Sequence, residues 1–234
     1  MLAGCATSTG ENAADEAEVR AETPLQASIP GWRHQTFPGK RASQYRVATE
    51  HGAHVIEVDA NASASMLKRE LRIESDDLAY ANFSWRVSHL LRDADMAQKQ
   101  GDDSPVRVVL VFEGDRSIFS AKDAMLSELA LALTGEELPY ATLMYVWSNK
   151  RKPETVIVNP RTSRIRKIVV QSGPGKLNQW QSYKRDVRAD FKAAFGEPPG
   201  ALLGVALMTD TDNTQSTARA WYGPVMLEAA RQVR

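Results

Sequence analysis

From Ile29 onward the chain alternates short apolar and polar steps. In "HVIEVD" His54, Ile56 and Val58 alternate with Val55, Glu57 and Asp59, and in "FSWRVS" Phe83, Trp85 and Val87 alternate with Ser84, Arg86 and Ser88. A period of two predicts strands with one wet face. "VRVVLVFEG" and "ATLMYVWS" are almost continuously apolar and predict central strands buried on both faces. "TVIVN", "RIRKIVVQS", "ALLGVALMT" and "ARAWYGPVML" add four more strands. Two segments read as helices. Ser120 stands three residues before Asp123, a capping box, and Met125, Leu126, Leu129 and Leu133 then recur at helical spacing, predicting a core-facing stripe that Gly135 closes. The second helix is expected over about 182–195, with Tyr183, Val187, Phe191 and Ala194 on one face and "GEPPG" as its stop. So many strands against two amphipathic helices predict a mostly β fold, an antiparallel β-sandwich forming a single domain over residues 29–234.

The residues before Ile29 lack this pattern. Leu2, Ala3, Gly4 and Cys5 match the lipobox of bacterial lipoproteins, and Cys5 is the only cysteine. A single thiol supports neither an internal disulfide nor a Cys-rich zinc site. The charged region and apolar stretch of about 7–15 residues that such a signal needs would lie upstream of Met1. Residues 1–5 therefore read as the remnant of a lipoprotein signal, with Cys5 as the lipidated residue. Residues 6–28 are small and polar, too poor in apolar groups to offset their ordering entropy, and read as a disordered tether. The expectation is a bacterial periplasmic protein held by a lipid anchor. With Ala6 rather than Asp after the cysteine, the outer membrane is its expected location. No run approaches the roughly 20 apolar residues that span a bilayer.

Charge excludes one class of partner. Lys plus Arg and Asp plus Glu number 29 each, a formal net charge of zero, so no overall field recruits nucleic acid. "KRK" at Lys150 to Lys152, followed by Pro153, reads as a solvated loop. Several catalytic signatures fail. "GPGK" lacks the distal Gly and following Ser or Thr of a phosphate loop, and no GxGxxG or GxSxG occurs. "HGAH" has no HExxH context, so His51 and His54 read as loop and strand histidines.

Acidic clusters at strand ends survive this filter. Asp102 and Asp103 precede a buried strand that contains Arg107, and Asp210, Asp212, Asn213 and Thr214 follow another. Alternating oxygens suit a hard cation, with calcium expected at Asp210 and Asp212, and equally suit sugar hydroxyls. The same carboxylates would also cap turns and pair with Arg107 or Arg86. An EF-hand is excluded, since Gln215 stands at the glycine position and Trp221 at that of the bidentate Glu. Hydrolysis would need two facing carboxylates roughly 5–10 Å apart, for which Asp102 or Asp103 with Asp210 or Asp212 is the pair to test. Of the tryptophans, Trp85 and Trp147 read as core, while Trp180, in "KLNQWQS", is the one expected to meet solvent and stack on a sugar.

In order, "FSWRVSHL", "DDSPVRVVLVF", "LMYVWSN", "KRDVRADFKAAFGEPP" and "GVALMTDTDNTQSTARAWYGPVML" resemble the bacterial family called domain of unknown function 3047 (DUF3047), over about residues 29–227. The resemblance implies secretion or lipid anchoring and a sandwich domain. Its final strands are similar to those of galactose-binding-type jelly rolls, a group that often carries carbohydrate-binding modules. It implies no established activity. Within the matching motifs the polar positions are Asp102, Asp103, Arg107, Asp186, Asp210, Asp212 and Asn213, which are carried over as ligand-site candidates. The leading expectation is a non-catalytic envelope module that binds a glycan or a cation-dependent ligand. A hydrolase using paired carboxylates and a structural lipoprotein docking onto another envelope protein are the alternatives.

Overall fold

The computed structural model describes residue 1, residues 29–50 and residues 52–229. Cys5, the lipobox-like stretch, the tether and His51 lie outside the described residues. Two sheets form the molecule. The seven-stranded sheet runs in the order β1 (Arg33–Thr36), β4 (Ala64–Ile73), β11 (Leu202–Asp210), β6 (Ser104–Phe112), β7 (Ala141–Ser148), β9 (Ile165–Ser172) and β8 (Val156–Val158). The six-stranded sheet runs β10 (Gln181–Asp186), β5 (Leu78–Val87), β12 (Thr217–Tyr222), β3 (Ala53–Asn61) and β2 (Gln44–Glu50), with β13 (Met226–Ala229) also paired to β5.

The sheets pack face to face, as the alternation requires. Phe83, Trp85, Val58 and Tyr222 of one meet Val108, Leu110, Leu143, Tyr145 and Leu207 of the other in one apolar cluster. Phe83 stacks on Tyr145 across the gap at 5.2 Å. The outer face of the seven-stranded sheet carries a second apolar layer, Val109, Met144, Val146, Val169, Ala206 and Met208, against which Met96 of the 88–103 loop packs. That double cover is why β6 and β7 are apolar on both faces.

Four expectations need correction, three of them in the sheets and the second helix. One strand pair is parallel: β9 lies beside β7 in the same direction, because the antiparallel β8–β9 pair docks with β9 innermost. "ARAWYGPVML" is two strands, broken at Gly223 and Pro224, where proline has no N–H to give a ladder. The second helix starts late. Residues 181–186 pair with β5, placing Tyr183 opposite Phe83, and α2 spans only Val187–Phe195. Packing of Tyr183 against Phe83 and Trp85 overrides the helical reading there. Asp186 caps α2, accepting from Ala189 N at 2.9 Å, a place far from any cluster with the other candidates.

The first helix, α1 (Ala121–Thr134), has the expected caps: Ser120 Oγ accepts from Asp123 N, and Gly135 ends it in the left-handed region. Its orientation is the reverse of the expected one. Asp123 and Ser127 are buried, while Met125, Leu129 and Leu133 are 61%, 52% and 60% exposed. Asp123 accepts hydrogen bonds from Ser120, Thr162 and Ser163 hydroxyls, and Ser127 Oγ accepts from Leu138 N. Once these bonds turn the polar edge inward, the leucine edge faces out.

Candidate functional site

The acidic candidates do converge. Arg107 on β6 and Asp210 on β11 point to the outer face of the seven-stranded sheet, beneath the 88–103 and 211–216 loops, and Lys167 rises beside them from β9. Asp102 binds Lys167 Nζ at 2.6 Å through Oδ1 and Asn159 Nδ2 at 2.8 Å through Oδ2. Arg107 Nη2 donates to the Asp102 carbonyl at 2.7 Å and stands 3.0 Å from Asp210 Oδ2. Lys40 pairs with Asp212, and Arg161 Nη1 lies 3.9 Å from Asp102. Four carboxylates, Asp102, Asp103, Asp210 and Asp212, thus meet four cations, Lys40, Arg107, Arg161 and Lys167.

Asp103 has a different task. It accepts from Asn213 N at 3.2 Å, Thr214 N at 2.7 Å and Thr214 Oγ1 at 2.6 Å, so one buried carboxylate holds the loop between the two sheets. Asn213 Nδ2 reaches on to the Lys99 carbonyl at 2.8 Å. The carboxylate oxygens of Asp103, Asp210 and Asp212 come within 4.8 Å of one another.

Burial sets the proton affinities. Lys167 is fully buried, and desolvation, reinforced by Arg107, pulls its ammonium down to about 8 against the opposing pull of Asp102. Burial also raises the Asp102 carboxyl, but Arg107 and Lys167 outweigh it and hold the group below its ordinary value. Asp210, 6% exposed, is pushed well above the carboxylate range by desolvation, which its neighbour Arg107 does not overcome. Asp210 Oδ1 has no hydrogen-bond partner among the described residues, and the hydrogen bond of the Asp210 side chain to Asp212 adds to the upward pull. Desolvation works against Asp212 too, yet Lys40 keeps that carboxyl low.

A second constellation lies on the outer face of the six-stranded sheet; of it the sequence reading offered only Trp180 as a ligand residue and Arg86 as a partner for the acidic candidates, a pairing that Arg86 makes with Glu50 instead. Cross-strand register lines up Arg46, Glu57, Trp221 and Arg86, with Gln44, Asp59 and Arg219 in the next row. Glu57 accepts from Arg46 Nε at 3.1 Å and Arg219 Nε at 2.6 Å, and Asp59 accepts from Arg46 Nη1 at 2.7 Å. Arg86 pairs with Glu50 and lies over Trp221 at 3.9 Å. Trp180, half-buried rather than fully wet, donates to Glu50 at 3.2 Å and flanks Arg86 at 5.8 Å. The usable signal was the alternation itself: Glu57 and Asp59 on the wet face of β3 demanded cationic partners on the neighbouring strands.

At the loop end of this face a depression of about 430 Å³ opens, lined by Arg41, Gln44, Asp59, Asn61, His89, Thr217 and Arg219 among others. His89 is fixed there, Nε2 donating to the Thr217 carbonyl at 2.8 Å and Nδ1 lying 2.7 Å from Ser88 Oγ. Thr217 begins β12 directly after the loop that Asp103 holds. The buried network and the depression are therefore joined through residues 211–217. Among the described residues, no helix is long and apolar enough to cross a membrane.

Several solved structures show similarity over most of the chain. The xyloglucanase domain of NopAA, a type three effector from Sinorhizobium fredii in complex with cellobiose, has a TM-score of 0.45 at 8% identity, with 87% of this chain and 96% of that one covered. A meso-active thermostable cellulase derived from Cel12A of Rhodothermus marinus gives 0.44 at 10% identity, covering 85% and 96%. The family 11 xylanase from Neocallimastix patriciarum gives 0.37 at 11% identity, covering 85% and 100%. No curated protein matches the chain. The family described as Protein of unknown function (DUF3047) matches residues 30–226, through both sheets and the residues that line the depression, and the chain belongs to that family.

Proposed function

We propose that the chain is a non-catalytic binding module for a glycan, anchored through a lipid on Cys5 at the bacterial outer membrane, with its ligand on the outer face of the six-stranded sheet. The observation that carries this reading is the depression at Gln44, Asp59, Asn61 and Thr217, where side chains from three adjacent strands converge. Hydrogen-bonding groups on rigid strands suit a hydroxyl-rich ligand, because the geometry is set before binding. Trp221 and Trp180, both half-buried, continue the same face toward β10. The acidic candidates then serve from behind: Asp103 holds the loop that forms the depression's wall.

Binding is preferred to hydrolysis because the carboxylates on this face, Glu57 and Asp59, are held by arginines, while the carboxyl with raised proton affinity, Asp210, is buried. The reading needs no calcium, since Lys40 and Arg107 stand against Asp212 and Asp210 where a cation would sit. Thermal unfolding with a panel of envelope oligosaccharides, with calcium and with EDTA tests it, because a ligand of the folded state raises the midpoint by mass action. A sugar-induced rise lost in Gln44→Ala, Asn61→Ala and kept in Asp210→Asn, Asp212→Asn supports the depression. A rise that needs calcium and disappears in the aspartate variant moves the site to the buried cluster, and sugar cleavage in the same assay overturns the non-catalytic reading. Mass spectrometry of membrane fractions tests the anchor: an unmodified Met1 on the native protein sinks it.

One observation favours a second reading. Met125, Leu129 and Leu133 recur at i, i+4 and i+8 as an exposed apolar stripe on α1, the feature expected of a lipoprotein that docks onto another envelope protein. A flat response to every sugar, with co-purification lost on Leu129→Gln, Leu133→Gln, would select it.

A further inference from the structure

We infer that the ligand of the depression is an anionic glycan, whose carboxylate or sulfate group is received by Arg41. The inference rests on the depression being the binding site, and deepens it by naming the ligand's charge.

The argument is a charge count around one corner of the sheet. Arg46 and Arg219 face Glu57 and Asp59, and the four are mutually paired, with Arg46 to both acids and Arg219 on Glu57 and 3.7 Å from Asp59. Two cations thus cancel two anions. Lys40 is taken up by Asp212. Arg41 also lines the depression, is exposed, and its guanidinium has no hydrogen-bond or ion-pair partner among the described residues. It is the uncompensated charge of the corner. The chain as a whole has a formal net charge of zero, so this excess is local.

Arg41 is also held in position at its backbone. Its carbonyl accepts from Ala64 N at 2.9 Å. Two residues on, Ser43 N donates to Ser65 Oγ at 2.9 Å, and Ser43 Oγ lies 3.0 Å from Ser63 Oγ. The backbone anchors the side chain at the rim of the depression, and the planar, five-donor guanidinium matches a carboxylate or sulfate in a bidentate fork. Around it Gln44, Asn61 and Thr217 supply uncharged donors and acceptors for the hydroxyls of the same sugar, and Asp59, already satisfied by Arg46, repels little.

Isothermal titration calorimetry on the full chain tests this with three probes: galacturonate oligomers, the same oligomers methyl-esterified, and sulfated maltotetraose. The expected result is binding of an anionic probe, at least about tenfold tighter than the methyl ester, weakening as salt rises. Arg41→Gln should remove that margin without moving the unfolding midpoint, and Arg41→Lys should restore part of it. Preference for the galacturonate or for the sulfated probe identifies the source of the charge. Equal binding of the methyl ester, or an Arg41→Gln variant that keeps the margin, overturns the anionic assignment and leaves the glycan site standing. If no anionic probe binds wild type while a neutral oligosaccharide still raises the unfolding midpoint and loses that rise in Asn61→Ala, the anionic assignment falls and the site stands; if neither class of sugar has any effect, both fall.

Discussion

Lys167 leaves β9 fully buried and ends 2.6 Å from Asp102 and 3.2 Å from the Met96 carbonyl. Neither charge has water to fall back on, so each depends on the other. Asp102→Asn leaves Lys167 and Arg107 facing a neutral amide, and should cost about 3–5 kcal/mol, the usual result of breaking a buried pair from one side; urea unfolding measures it, and a loss below 1 kcal/mol would mean that water already reaches the site. The lysine also leaves a mark on pH dependence. Its folded value is about 8 against 10.5 for an ordinary lysine. Between those limits the unfolded chain binds a proton that the fold has released, so this group's contribution to stability rises with pH across that window, and below it the penalty on the charged form is fully present. The raised tyrosines Tyr45, Tyr145, Tyr183 and Tyr222 pull the other way above pH 10, but they are common to wild type and variant. Wild type compared with Lys167→Met should therefore gain relative stability from pH 8 to 10; a constant difference refutes the assignment. Asp102 and Arg107 were legible because they flank the start of an apolar run. Lys167 was not, although a lysine between Arg166 and Ile168 in such a run is a signal in itself.

The two helices show how far local pattern carries. The caps of α1 were readable: Ser120 and Gly135 bound it as their chemistry requires, whereas Asp186, which caps α2, was not read as a cap. The face presented to the core was not. Leucine spacing alone has α1 bury Leu129 and Leu133, whereas four hydrogen bonds to Asp123 and Ser127 from residues on either side of the helix turn it the other way. Leu129→Gln with Leu133→Gln should then change stability by less than about 0.5 kcal/mol each, as exposed substitutions do. Asp123→Ala, which strands three hydroxyls, should cost about 1–3 kcal/mol. Chemical denaturation of the two variants decides between the orientations, since a buried leucine edge would reverse the order. For α2 the amphipathic face, Val187, Phe191 and Ala194, is buried as expected, and only its first turn was lost, to a strand that exists because Tyr183 finds Phe83 and Trp85 in β5.

Across the whole molecule, the 211–216 loop couples the buried ion network to the open face. Thr211 N donates to Ser63 O at 3.0 Å and Ala62 N to Ser216 O at 2.8 Å, tying the loop to the turn between β3 and β4, while Asp103 holds its centre. Asp103→Ala should speed amide exchange over residues 211–217 and weaken glycan binding at the depression, with stability lower by about 1–3 kcal/mol; unchanged exchange there would separate the two sites. The sequence by itself determined the mostly β character, the doubly buried β6 and β7, the caps of α1, the family and the acidic residues that meet, because period, propensity and motif are local properties; β1, β2 and β4, whose pattern is weaker, it did not reveal. Tertiary structure alone decided which face α1 turns inward, that β9 inserts parallel to β7, that the acidic cluster is closed and balanced by lysines and arginines distant in the chain, and that Arg41, Asn61, His89 and Thr217 share a hollow. The helix face is set by hydrogen bonds to Asp123 and Ser127 from residues outside the helix; the rest depends on pairing and register between strands far apart in sequence, where a one-residue shift would send a strand's side chains to the opposite face.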